Sequence, residues 1–156
     1  MKTKVLKNRK SAIILICVIA FVAFGQQLFA QSSSQKKSNG VFEIISFSKD
    51  SVKFKTVTET KFYSLALISG KQIIEATMFS NSVGTVKWAN GSQFWAGSQM
   101  DLPATFGVGA MTLPKDAVLT VYGFKTPSNF KIEKIRFNTD EKTEMYYNIS
   151  TSSWIK

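Results

Sequence analysis

The sequence predicts an all-β fold: a single antiparallel β-sandwich, or a small barrel, that follows an N-terminal signal peptide. Short apolar runs are separated by turn residues about every 8–12 positions, a spacing typical of sandwiches and barrels. Within several runs, apolar and polar side chains alternate, as they do in half-buried strands. No segment carries the period of an amphipathic helix.

The first thirty residues have the three-part order of a secretory signal peptide. Residues 1–10 carry five basic side chains, and residues 12–24 form an uncharged apolar run. That run is shorter than the roughly 20 residues of a membrane-spanning helix. We expect cleavage after Ala30, with cleavage after Gly25 or an uncleaved signal anchor as alternatives. The expected location is the periplasm or the extracellular medium.

Cleavage after Ala30 leaves 126 of the 156 residues, enough for one domain. Residues 31–40 contain no apolar side chain and predict a flexible polar tether. The β-sandwich domain is therefore expected at residues 41–156. The single cysteine, Cys17, lies in the signal peptide, so the domain must depend on its hydrophobic core and not on disulfides.

Ten segments of the domain predict strands. Alternation is clearest where Val52 and Phe54 alternate with Lys53 and Lys55. The predicted strands are residues 41–48, 51–58, 61–69, 72–79, 83–89, 92–96, 105–113, 117–124, 130–138 and 143–150. In the predicted strand 130–138, the apolar positions change from one face to the other, so we expect a β-bulge near Glu133-Lys134.

The strongest turn signal is Asn90-Gly91, which suits a two-residue type I′ hairpin loop with positive φ at both positions. Such a loop pairs Trp88 with Gln93, Val86 with Trp95, and Lys87 with Phe94. One face of the hairpin would then carry Val86 and both tryptophans. The other face would carry Lys87 beside Phe94.

This hairpin contains the residue types with which a β-sheet binds sugar rings, flat aromatic side chains beside amides. The candidate ligand-binding residues are Lys87, Trp88, Gln93, Phe94 and Trp95. The alternative is that both tryptophans belong to the core, because large aromatic side chains dominate small β cores.

Enzyme classes are strongly restricted by composition. The chain has no histidine, and Cys17 leaves with the signal, which excludes the usual Ser-His-Asp and Cys-His catalytic systems. The same absence excludes ordinary zinc, copper and non-haem iron sites. We expect no catalysis, no metal and no cofactor. A hydrolase built on carboxylates such as Glu75 and Asp101 is the remaining enzymatic alternative.

The chain after Ala30 carries 15 basic and 10 acidic residues, a net formal charge of +5. The basic residues are dispersed and form no dense cluster, so nucleic acid is not an expected partner. A positive charge of this size is compatible with anionic glycans or membrane surfaces.

An alternative site lies near the C-terminus. The stretch 146–150, Tyr-Tyr-Asn-Ile-Ser, resembles a Tyr-Tyr-Asn-Leu-Ser stretch of the actinoporins, which are secreted basic β-sandwich toxins without cysteine. The resemblance covers these five residues and implies recognition of lipid headgroups there. The candidate membrane-surface residues are Tyr146, Tyr147 and Trp154.

The favoured hypothesis is an exported non-catalytic domain that binds a glycan or protein partner through an aromatic and basic patch. The first alternative is a membrane-surface or membrane-active protein. The second is an assembly protein that pairs through exposed strand edges.

Overall fold

Fourteen strands and no helix make up the residues that this computed structural model describes, which are 38–102, 110–140 and 143–155. The predicted signal peptide and residues 31–37 of the tether lie outside the described residues. The strands are β1 (Phe42–Phe47), β2 (Ser51–Thr56), β3 (Thr60–Phe62), β4 (Ser64–Ser69), β5 (Gln72–Glu75), β6 (Met78–Asn81), β7 (Val86–Trp88), β8 (Gln93–Phe94), β9 (Gln99–Asp101), β10 (Met111–Leu113), β11 (Val118–Tyr122), β12 (Lys134–Asn138), β13 (Glu144–Asn148) and β14 (Ser153–Ile155).

These strands form three antiparallel sheets. Sheet A has the order β1-β2-β11-β6-β9, sheet B the order β3-β10-β7-β8, and sheet C the order β14-β13-β12-β4-β5. A single residue, Tyr63, separates β3 from β4, so the chain passes directly from sheet B into sheet C. The predicted all-β antiparallel class is confirmed.

Sheet A packs its inner face against both other sheets, in the manner of a sandwich. On sheet C, the Phe137 ring centroid lies 4.9 Å from that of Phe42 and 5.1 Å from that of Phe54. On sheet B, the Trp88 ring lies 5.9 Å from Phe79 of sheet A. One continuous hydrophobic core therefore runs beneath all three sheets.

The predicted alternation is confirmed in β2. Val52, Phe54 and Thr56 are buried, and Lys53 and Lys55 point to the opposite face. The alternation arises because successive side chains of a strand project to opposite sides of the sheet, and one side here is core.

The ten predicted strands become fourteen for two reasons. The run 61–69 breaks at Tyr63, and the run 72–79 breaks at residues 76–77, where the chain crosses from sheet C to sheet A. Strands β9 and β14 were not predicted, because each has three residues and is too short to show a period.

The hydrogen bonds support the bulge predicted near Glu133-Lys134. Lys134 is registered with Ile68 of β4, and the Glu133 N–H also donates to the Ile68 carbonyl, at 2.8 Å, so two residues oppose one. On the other side, the Glu133 carbonyl accepts from the Ile149 N–H at 2.9 Å, in register with the pairing of Lys134 and Asn148. A second irregularity lies in β1, where the register shifts between Ile44 and Ser46.

The last residues of the predicted tether are attached to β1. Ser38 forms an isolated antiparallel bridge with Glu43. The Asn39 carboxamide oxygen accepts hydrogen bonds from the backbone N–H groups of Val41 and Phe42, at 2.9 and 2.7 Å. Ordered structure therefore includes Ser38, ahead of the predicted boundary at Val41.

Candidate functional site

The β7–β8 hairpin closes through three loop residues, and not two. The backbone N–H of Trp88 donates to the Ser92 carbonyl at 2.9 Å, and that of Gly91 donates to the Trp88 carbonyl at 2.9 Å. Gly91 has φ of 87°, whereas Asn90 is not in the left-handed region. This is a type I turn followed by a left-handed glycine, so the predicted type I′ loop is wrong.

The longer loop shifts the pairing of the two strands by one residue. Val86 lies opposite Phe94, and Lys87 lies opposite Gln93. Since a shift of one residue moves every side chain of a strand to the other face, β8 is inverted relative to the prediction.

The inverted strand places Phe94 in the core beside Trp88. Trp88 is 4% exposed, and its ring meets that of Phe94 edge-on at 5.4 Å. Trp88 therefore belongs to the core, as the alternative hypothesis for the tryptophans expects, and Phe94 joins it. Neither side chain is displayed.

The same inversion exposes Trp95. Its side chain is 65% exposed, and it follows the inward-facing Phe94, so it projects to the outer side with Gln93. The Ser98 N–H donates to the Trp95 carbonyl at 3.0 Å, and Gly97 has φ of 87°, as expected of a type II turn. A tight turn therefore sets the position of the exposed indole.

A buried amide, Asn81 of sheet A, anchors this hairpin. The Asn81 side-chain nitrogen donates to the carbonyls of Gly84 and Phe94, at 3.1 and 3.4 Å. Its carboxamide oxygen accepts from the Val83 N–H at 3.2 Å. In the sequence, Asn81 signals only a turn, because nothing local reveals a partner thirteen residues away.

The strand registers assemble a polar row on the outer face of sheet B. Thr112 of β10 lies between Lys61 of β3 and Lys87 of β7, and Lys87 lies opposite Gln93 of β8. An open groove of about 550 Å³ runs beside this row, and its lining includes Thr85, Lys87, Thr112, Lys115 and Glu59. We call the outer face of sheet B, with this groove and Trp95, the B face.

The outer faces of the other two sheets hold ion-pair networks. On sheet A, the Lys55 ammonium lies 3.5 Å from the Glu43 carboxylate and 3.8 Å from that of Asp116. On sheet C, the Arg136 guanidinium lies 2.9 Å from Glu75 and 3.4 Å from Glu144. In both sheets a cation is matched by two carboxylates.

The candidate membrane residues do not form one displayed surface. Tyr147 is buried, and the partly buried Trp154 packs on it with ring centroids 5.5 Å apart. Tyr146 points to the other face of sheet C, where its phenol donates a hydrogen bond to Glu144. That hydrogen bond, with burial as a second cause, raises the pKa of the Tyr146 phenol above its usual value.

The two carboxylates considered for hydrolysis lie on different sheets. Glu75 is on β5 of sheet C, paired with Arg136, and Asp101 is on β9 of sheet A. Among the described residues, no three side chains of the metal-ligating types come together. The described residues also contain no helix that is long and apolar enough to span a membrane.

Of the five predicted ligand-binding residues, the structure thus keeps Lys87, Gln93 and Trp95 together on the surface. It adds Lys61 and Lys115, which sequence reasoning missed because they come from other strands and loops. No family model matches the chain, and no curated protein or solved structure matches it.

Proposed function

We propose that this chain is an exported, non-catalytic β-sandwich domain that binds a glycan on the B face, with Trp95 as the anchor. Export is supported by the charged, apolar and small-residue order of residues 1–30. The absence of histidine from the sequence, and the placement of Cys17 in the signal, support a role without catalysis.

The observation that carries this proposal is the exposure of Trp95. An indole on a surface leaves a large apolar area in water, and aromatic anchors of this kind dominate the energetics of binding surfaces. Its flat ring matches the apolar face of a sugar. The Gln93 amide and the Thr85 hydroxyl supply hydrogen-bonding groups for sugar hydroxyls.

Replacement of Trp95 by Ala is expected to weaken polysaccharide binding about 30-fold, equivalent to about 2 kcal/mol. Stability should change by less than about 0.5 kcal/mol, because the side chain is 65% exposed. The measurement is affinity electrophoresis of the mature protein through gels that contain individual neutral and acidic polysaccharides.

The matched control is Ile73→Ala, which removes another exposed apolar side chain, on sheet C, and should leave binding unchanged. Equal loss in both variants would show nonspecific adhesion. Retention on no polysaccharide, with a protein captured through Trp95 instead, would replace the glycan by a protein partner.

A second candidate function, assembly through strand edges, is favoured by Ile73. This residue is 53% exposed on β5, which lies at the edge of sheet C and, among the described strands, pairs only with β4. Exposed apolar edge strands pair readily with other chains, whereas charged residues on an edge prevent such pairing.

If sheet C pairs through β5, the mature protein will form dimers or larger species at micromolar concentration, and Ile73→Lys will restore the monomer. Sedimentation equilibrium measures both states. Lys71→Ile, which removes a charge two residues before Ile73, tests whether the position of the charge controls the association. A monomeric wild-type protein at all concentrations would reject this candidate.

A further inference from the structure

The lysines of the B face have no ion-pair partners among the described residues. Lys61, Lys87 and Lys115 are exposed, and none forms an ion pair with any described carboxylate. Nine of the ten acidic residues of the chain are among those described. Glu59 lines the groove, yet it pairs with none of these lysines.

On the other two outer faces, Lys55 and Arg136 are each held by two carboxylates, while Lys53 and Lys134 beside them have no ion pair with a described residue. The B face differs in that none of its three lysines is matched. Like charges on one sheet face repel each other and reduce stability. Unpaired lysines on one sheet face therefore do not increase the stability of the fold. An anionic ligand would supply the negative charges that they lack.

The spacing of the lysines indicates the form of that ligand. Lys61 and Lys87 flank Thr112 in one row, which puts their backbones two strand spacings apart, about 10 Å. Lys115 lies at the groove beside Lys87. An extended polymer with an anionic group on each sugar can pair with such separated cations one by one.

We infer that the B face binds an acidic polysaccharide, whose carboxylate or sulfate groups pair with Lys61, Lys87 and Lys115 while a sugar ring packs on Trp95. The inference rests on the proposed function and specifies its ligand class. Thr112 lies between Lys61 and Lys87, and Thr85 lines the same groove, so both hydroxyls are available to the hydroxyls of a sugar. A neutral glycan would use the indole and leave the three ammonium groups in water.

The test compares acidic polysaccharides with neutral counterparts of the same backbone. Polygalacturonate and dextran sulfate are titrated against the tryptophan emission of the mature protein, beside methyl-esterified polygalacturonate and dextran. Binding to at least one acidic polymer and to neither neutral one is expected. The affinity should fall as salt is raised, because the lysines are exposed and screened.

The decisive variant is Lys61→Gln/Lys87→Gln/Lys115→Gln, for which we expect about tenfold weaker binding or more. The matched control is Lys71→Gln/Lys125→Gln/Lys131→Gln, which removes the same charge from exposed positions that neither lie in sheet B nor line the groove. The control triple should bind as the wild type does. Equally weakened binding in both triple variants would show that the effect depends only on net charge, and would overturn the inference.

The remaining outcomes separate this inference from the proposed function. Equal binding of acidic and neutral polymers through Trp95 would overturn the inference and leave the proposed function intact. Binding to no polysaccharide would overturn both. Binding only to vesicles of phosphatidylglycerol and phosphatidylcholine would overturn both in favour of the membrane-surface alternative.

Discussion

Phe137→Ala will lower the free energy of unfolding by about 3–5 kcal/mol. The ring is fully buried and lies at the centre of the interface between sheets A and C. Its centroid is 4.9 Å from that of Phe42, 5.1 Å from Phe54 and 5.2 Å from Trp154. The deletion removes these contacts and leaves a cavity that two paired sheets cannot close.

The measurement is urea unfolding of the mature domain, followed by tryptophan emission and far-UV circular dichroism. Phe47→Ala is the matched control, because it makes the same deletion at a position that is 40% exposed at the edge of sheet A. Its cost should stay near 1 kcal/mol. Phe137→Leu keeps most of the side-chain volume and should fold even if the alanine variant does not. Equal losses for Phe137→Ala and Phe47→Ala would contradict the position of Phe137 at the centre of the core.

Asn81→Ala will lower the free energy of unfolding by about 2–3 kcal/mol, and its effect will be concentrated in the β7–β8 hairpin. The substitution removes a buried side chain that makes hydrogen bonds with Val83, Gly84 and Phe94. Buried polar groups that lose their partners retain the cost of leaving water. The substitution would take this partner from the part-buried carbonyls of Gly84 and Phe94 and from the part-buried N–H of Val83.

Acrylamide quenching distinguishes a local change from a global one. In the wild type, Trp88 should be shielded and Trp95 accessible, and in the Asn81 variant Trp88 should become accessible before global unfolding. Single-tryptophan versions, with the other two replaced by Phe, assign the signals. Asn129→Ala is the control, since Asn129 is exposed, and it should change neither stability nor quenching. A shielded Trp88 in the Asn81 variant would show that other contacts hold the hairpin.

Strands were predictable where one run of alternating apolar and polar residues belongs to a single sheet. In β2, the alternation of Val52 and Phe54 with two lysines needs no knowledge of neighbours, because one face of the strand meets core and the other meets water. Prediction failed where one apolar run serves two sheets. The run 61–69 contains no glycine, proline, asparagine or aspartate to mark a break, yet at Tyr63 the chain passes from sheet B to sheet C.

The hairpin of the candidate site was predicted at the observed position, but its register was predicted wrongly. Asn90-Gly91 satisfies a type I′ loop and also a type I turn closed by a left-handed glycine, so local chemistry does not choose between them. Core packing determines the register, because the observed pairing buries Phe94 against Phe79 and Trp88. The consequence is that Gln93 lies opposite Lys87 and that Trp95, and not Phe94, is exposed.

The amino-acid sequence is sufficient for the all-β class, the absence of imidazole and domain thiol chemistry, and the concentration of aromatic residues in one hairpin. These properties follow from composition and from side-chain periods, which are local. The exposure of Trp95, the hydrogen bonds of Asn81 to the hairpin, and the set of lysines on the outer face of sheet B follow from the tertiary structure. Those outcomes depend on pairing between strands that are distant in the chain, where burial of apolar rings outweighs the preferences of any single turn.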